Sequence, residues 1–224
     1  MAHVTQPIIA DRLDGQGRLR GLYAQTGKRV LDVTLVLAAA PLILPIVAVA
    51  WALVRLDGGR GFFRQPRVGR NGRIFDCWKL RTMVTDADTR LAAMIARDGA
   101  LAAEWAAYQK LRIDPRITFI GRILRATSMD ELPQLWNVLV GDMSLVGPRP
   151  FMVEQEGTYR RAGGQCYFRL RPGITGPWQI SGRGRTMFTD RIQFDSDYLR
   201  NVSFGKDIQL IARTVLVVLK CAGR

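Results

Sequence analysis

The 224-residue chain carries 33 Lys and Arg against 19 Asp and Glu, a formal charge of +14, and 48% of its residues are hydrophobic. That balance excludes intrinsic disorder and calls for a polyanionic partner: nucleic acid, an anionic membrane surface or a phosphorylated substrate. The single histidine, His3, excludes a Ser-His-Asp triad, a Cys-His pair and a His-rich zinc site, and the three widely spaced cysteines, Cys77, Cys166 and Cys221, read as reduced cytosolic thiols rather than a disulfide framework.

Residues 1–27 read as a loose polar arm. Residues 33–54 hold no charge, and a straight helix of that length covers roughly 33 Å against a hydrocarbon core of about 30 Å. Pro41 and Pro45 sit in its middle and predict a break. Arg12, Arg18, Arg20, Lys28 and Arg29 precede it, and Arg55, Arg60, Arg64, Arg67, Arg70 and Arg73 follow it. A spanning helix shows its Lys/Arg excess on one side only, so two basic flanks favour a re-entrant element over residues 28–56 that enters and leaves by one face. A Pro-kinked single span is the alternative.

Residues 57–224 read as a domain on the cytoplasmic face. Asn71-Gly72 between apolar, β-favouring stretches predicts a short hairpin within residues 60–84. The Ala- and Leu-rich residues 86–113 predict one or two helices around Gly99, ended by Asp114-Pro115. Residues 117–125 and 133–140 predict short helices, 151–165 a polar helical segment, and 171–185, with two prolines and four glycines, a long loop. Residues 206–220 predict an amphipathic helix, with Lys206, Arg213 and Lys220 on one face; a lipid interface suits it, and an ordinary core helix is the alternative. The fold class is therefore α+β, mainly helical, with a small hairpin, a membrane helix and interfacial amphipathic helices.

The chemistry concentrates at Asp130-Glu131, two carboxylates ahead of Pro133. Pro133 suits the start of a helix, and Ser128 and Glu131 have capping-box spacing. Both registers put the pair at a helix N-terminus, where the dipole favours ionisation, and plain capping is the bland alternative. An ionised carboxylate is a nucleophile toward phosphorus or a ligand for a hard cation. Arg122, Arg125 and Arg149 flank the pair in sequence; Lys79 and Arg81 follow the hairpin, and Arg183 and Arg185 lie in the Gly-rich stretch. Guanidinium groups grip phosphate bidentately, so the combination in a membrane-anchored chain points to phosphate handling beside lipid.

These residues fall into an ordered set: Lys28-Arg29-Val30-Leu31-Asp32; Lys79-Leu80-Arg81-Thr82-Met83; the run from Arg125 through Asp130-Glu131 to Gln134; the run from Gly141 to Gly147-Pro148-Arg149-Pro150; and Arg171-Pro172-Gly173-Ile174-Thr175-Gly176, with Trp178 and Ser181-Gly182-Arg183 after it. In this the chain resembles the bacterial sugar transferases, monotopic polyprenyl-phosphate phosphoglycosyltransferases, in the short form of exopolysaccharide assembly. The resemblance implies transfer of a sugar 1-phosphate from a UDP-sugar to polyprenyl (undecaprenyl) phosphate, releasing UMP. It implies Asp130 as nucleophile and Glu131 as a ligand of Mg²⁺ or Mn²⁺. It further implies phosphate or nucleotide contacts for Lys79, Arg81, Arg122, Arg125, Arg149 and Arg183. Placement at the cytoplasmic face of the bacterial inner membrane goes with it, as does hand-over to downstream glycosyltransferases, with a homo-oligomer left open and galactose or glucose as the guessed sugar. Some members have Ser-Pro at the membrane break, where this chain has Ala40-Pro41 and adds Pro45.

Two other readings compete. One is a membrane-tethered basic module for nucleic acid or anionic lipid, against which stands the lack of any zinc-finger or RNA-recognition signature. The other is a non-catalytic scaffold of polysaccharide assembly, against which stands the intact Asp130-Glu131 pair.

Overall fold

The computed structural model describes residues 21–108, 111–181 and 187–219. A π-helical turn, Tyr23–Gly27, runs into α1, Lys28–Arg55. Strands β1 (Phe62–Val68) and β2 (Ile74–Leu80) form an antiparallel hairpin, with Phe62 opposite Leu80. Helices α2 (Ala87–Arg97) and α3 (Gly99–Tyr108) follow, then α4 (Phe119–Ala126) and α5 (Gln134–Val140). Strand β3 (Ser144–Val146) precedes α6 (Glu156–Arg161) and pairs in parallel with β4 (Gly173–Thr175). The described chain ends with α7 (Pro177–Ser181), α8 (Arg191–Arg200) and α9 (Phe204–Leu219).

The expected hairpin forms around Asn71, which takes φ 60°, a left-handed conformation that Asn tolerates. Residues 171–185 are not one long loop. Their first part is a β4–α7 unit, because the glycines let two backbones meet: a Cβ on Gly173 would lie 2.1 Å from the Gly147 nitrogen, and one on Gly147 2.3 Å from the Arg171 carbonyl oxygen. The motif segments around residues 147 and 173 are thus two halves of one contact, whose bonds include Gly147 N–H to the Thr175 carbonyl at 2.8 Å.

Pro41 and Pro45 do not divide α1, which is one continuous 28-residue helix. Each proline removes a backbone donor, but in apolar surroundings an opened coil would strand more polar groups than the helix loses. Tyr23–Arg55 is long and apolar enough to cross a membrane, and 11% of its most apolar window is buried. Val36, Ala50 and Val54 are buried on one stripe, while Leu37, Leu42, Leu44 and Val49 are exposed.

Both ends of α1 are fastened to the same domain. At the start, Lys28 meets Asp207 at 2.6 Å, Arg29 donates to the carbonyls of Val138 and Leu139, and the Leu145 N–H donates to Asp32 at 3.0 Å. At the finish, Ala50 and Val54 pack with Leu80 and Leu124, and Arg81 donates to the Val54 carbonyl at 2.9 Å. Asp207, fully buried, also accepts from Tyr23 and Tyr198, each at 2.6 Å, which ties the helix to α8 and α9. The predicted amphipathic helix is present as α9. It buries Asp207 and Leu210 and leaves Phe204, Ile208, Val215 and Leu216 exposed; Lys220 lies outside the described residues.

Candidate active site

The site is built where α4, the hairpin and the β3–β4 contact converge. Helix α4 starts at Thr118, whose hydroxyl accepts from the Gly121 N–H at 2.9 Å. It ends in a reversal at Ser128, φ 57°, a left-handed conformation that costs a non-glycine residue roughly 1–2 kcal/mol. The reversal throws the next residues into a single 3₁₀ turn, Met129–Glu131, ahead of α5. The capping box expected from Ser128 and Glu131 is absent. In the left-handed conformation Ser128 makes no side-chain cap, and Pro133, rather than Ser128, leads into α5.

Asp130 is 8% exposed on this turn. Burial raises its carboxyl above the ordinary carboxylate range, and the neighbouring Glu131 adds to that, while the charges of Lys79 and Arg125 oppose it. The expected dipole stabilisation of the ionised form is thus outweighed by burial, since a single 3₁₀ turn carries little dipole. Glu131 bridges two cations: Oε1 lies 3.0 Å from Lys79 Nζ and 3.4 Å from Arg149 Nη2. Arg125 donates from Nε to the Thr82 hydroxyl at 2.8 Å, and burial lowers its pKa.

The predicted cations therefore separate. Lys79, Arg125 and Arg149 gather around the acidic pair. Arg122 is exposed on the surface of α4. Arg81 lies beyond the end of β2 and turns away, donating to the carbonyls of Val54, Arg60 and Met83 and to both oxygens of Asp57. It clamps the end of α1 instead of joining the acidic pair. Arg183 lies outside the described residues.

Three further residues went unrecognised in the sequence. Arg67 lines the same polar cleft as Lys79, Glu131, Gln134 and Arg149. Strand alternation held the signal, because Phe63, Gln65 and Arg67 pair with Lys79, Cys77 and Phe75 and so share one face of the hairpin. Gln134 is buried at the head of α5. Arg191, 2% exposed, donates to the Arg149 carbonyl, pairs with Asp195 at 3.5 Å and lies 5.2–5.9 Å from the ring centres of Phe151, Tyr159, Tyr167, Phe188 and Trp178. It fixes the backbone from which Arg149 reaches Glu131. Its i+4 partner Asp195 reads as an ordinary helix pair, and nothing local marks the rest of its role, because Arg149, Phe151, Tyr159, Tyr167 and Trp178 come from distant segments.

The polar cleft has room for only about 10 Å³, near one water, because its cations close on Glu131. Two adjacent carboxylates offer hard oxygen donors, and among the described residues no third Asp, Glu, His or Cys completes a metal cluster.

The sequence model for bacterial sugar transferases matches residues 23–221. The chain is 44% identical over 196 residues to a UDP-galactose-lipid carrier transferase of Erwinia amylovora, covering 88% of this chain and 41% of that protein. It is 41% identical over 201 residues to an undecaprenyl-phosphate galactose phosphotransferase of Salmonella typhimurium, again covering 88% and 41%. It is 40% identical over 197 residues to the exopolysaccharide production protein ExoY of Sinorhizobium fredii, covering 88% and 87%. The chain thus spans about two fifths of the first two relatives and most of the third. With a family match over nearly its whole length and the acidic pair set among cations beside an apolar helix, the chain belongs to the bacterial sugar transferase family.

Proposed function

We propose that the chain transfers a sugar 1-phosphate from a UDP-sugar, UDP-galactose or UDP-glucose, to undecaprenyl phosphate, releasing UMP as the first membrane step of exopolysaccharide assembly. The observation that carries this reading is the buried Asp130 beside a Glu131 that already bridges Lys79 and Arg149. The names of the relatives supply the substrate classes.

An Asp130 carboxylate oxygen attacks the β-phosphorus. The anhydride bond to the α-phosphate breaks, and UMP leaves with the electron pair. An oxygen of the acceptor phosphate then attacks the same phosphorus and regenerates the carboxylate. Neither step requires a net proton transfer, so a chain whose sole histidine is His3 is equipped for it. Lys79, Arg125, Arg149 and Arg67 offset the repulsion between a carboxylate and a diphosphate. The diphosphate competes with Glu131 for Lys79 and Arg149. Glu131 would hold Mg²⁺ or Mn²⁺, a hard cation suited to its carboxylate oxygens. Such an ion supplies charge neutralisation at the diphosphate.

The membrane placement follows the same reading. A spanning α1 would hold its two ends about a bilayer apart, yet both ends bond to one polar domain. The exposed apolar side of α9 and the aromatic residues Trp51, Phe62, Trp78 and Trp136 suit an interfacial depth. These features support a helix that enters and leaves by the cytoplasmic face. Cysteines placed at Arg20 and Arg60 should label from one side, and labelling from opposite sides would refute it. A panel of UDP-sugars with undecaprenyl phosphate and Mg²⁺, read by UMP release, tests the activity. Release with none of them would overturn it.

A further inference from the structure

Between its two fastened ends, α1 stands off from the domain and leaves an apolar groove of about 330 Å³. Ala40, Ile43 and Val47 form one wall; Trp78, Leu132 and Trp136 form the other. The ends of α1 are held by the Asp32 and Val54 contacts, so the walls cannot close by a simple shift of the helix. An apolar void of this size stays dry, and leaving it empty is costly. A hydrocarbon is the occupant that such a surface favours over water. Leu44 and Trp136, both largely exposed, stand at its rim, where a chain in the bilayer has access.

The inner end identifies the hydrocarbon. Leu132 and the adjoining Pro133 line it, and they directly follow Asp130-Glu131 on the same backbone turn. A molecule with its tail in this groove presents its head to the acidic pair and its cations. We propose that the groove holds the first isoprene units of the acceptor's polyprenyl chain, an inference that rests on the acceptor class proposed above. At interior packing density the volume takes roughly two or three such units, and the rest of the chain lies in the bilayer. The enzyme thereby reads only the phosphate-proximal end of the lipid.

The test uses the full chain in detergent micelles with polyprenyl phosphates of one, two, three and eleven isoprene units. Single-turnover UMP release from UDP-sugar alone counts the active protein in each preparation. In the unmodified chain the acceptor KM falls roughly tenfold from one unit to three and then levels off. Trp136→Ala, which removes an exposed wall, and Ile43→Trp, which fills the groove, both abolish that gain. Leu42→Ala, exposed elsewhere on α1, keeps it. A KM that keeps falling to eleven units, or a gain that survives both groove variants, would show occupancy by bulk lipid and overturn the proposal. A single turnover of UMP with no further release on any polyprenyl phosphate would overturn the acceptor reading itself, and the groove's occupant with it.

Discussion

Replacing Arg191 with leucine removes a guanidinium that is 2% exposed and leaves the equally buried Asp195 without its charge partner. Breaking one side of a buried pair costs about 3–5 kcal/mol. The lost charged hydrogen bond to the Arg149 carbonyl is worth about 1.5–3 kcal/mol by itself. The two overlap, because Asp195 can protonate once alone, so a total near 4 kcal/mol is expected, a large part of a domain's usual margin. Burial already raises the Asp195 carboxyl, and the positive charge of Arg191 is the chief influence opposing it. Without Arg191 that pKa rises further, so the folded state holds its proton more tightly than the unfolded chain. Stability then falls as pH rises above the ordinary carboxylate range, and the deficit is larger at pH 8 than at pH 5. Adding Asp195→Asn removes the unpaired charge while leaving a partner for the Tyr159 hydroxyl, now 2.8 Å from Asp195. The double variant should recover about 2–3 kcal/mol. It should not recover UMP release, because the Arg149 carbonyl still lacks its donor. Denaturant unfolding at two pH values, with UMP release alongside, reads all of this. A single variant costing under about 1 kcal/mol, or a double variant no more stable than the single, would refute the reasoning.

Three other outcomes follow from the same geometry. Arg81→Ala should destabilise by about 2–3 kcal/mol through its lost bonds to Val54, Arg60, Met83 and Asp57, yet leave turnover per folded molecule near normal; Lys79→Ala should do the reverse, and unfolding curves beside UMP assays separate them. UMP release should decline with falling pH at higher values than an ordinary carboxylate would give, since burial raises the Asp130 carboxyl, and Asp130→Asn should stabilise the fold at neutral pH by on the order of 1 kcal/mol, read as a higher Tm. Exhaustive chelation should abolish UMP release and Mn²⁺ should restore it, so full activity after chelation would exclude a metal role for Glu131.

Much of the molecule was legible because local rules governed it. The hairpin around Asn71 and the helices α2, α3 and α9 came from turn chemistry and apolar spacing that tertiary packing did not overrule. The cluster of Lys79, Arg125 and Arg149 around Asp130-Glu131 came from residue type and motif order. The misses share a non-local cause. Strand β4 exists because Gly147 and Gly173 let two remote segments touch, and neither segment alone spells a strand. Arg81 belongs with Lys79 by spacing, but β2 ends at Leu80, and one residue past a strand the alternation no longer decides direction. Ser128 looked like a cap by spacing, whereas its left-handed backbone serves to place Asp130 on a turn. Arg67 was readable from strand parity, and Arg191 was not, because five rings from five segments meet around it only in the fold.

The proposed two-step transfer requires Asp130 to carry the sugar phosphate. The most direct measurement is the intact mass of the protein at short times after mixing with UDP-galactose or UDP-glucose and Mg²⁺, with no lipid acceptor. The expected result is a gain equal to one sugar phosphate, lost on adding undecaprenyl phosphate and never formed by Asp130→Asn. An unchanged mass with a sugar that supports turnover, together with kinetics requiring both substrates bound at once, would contradict it.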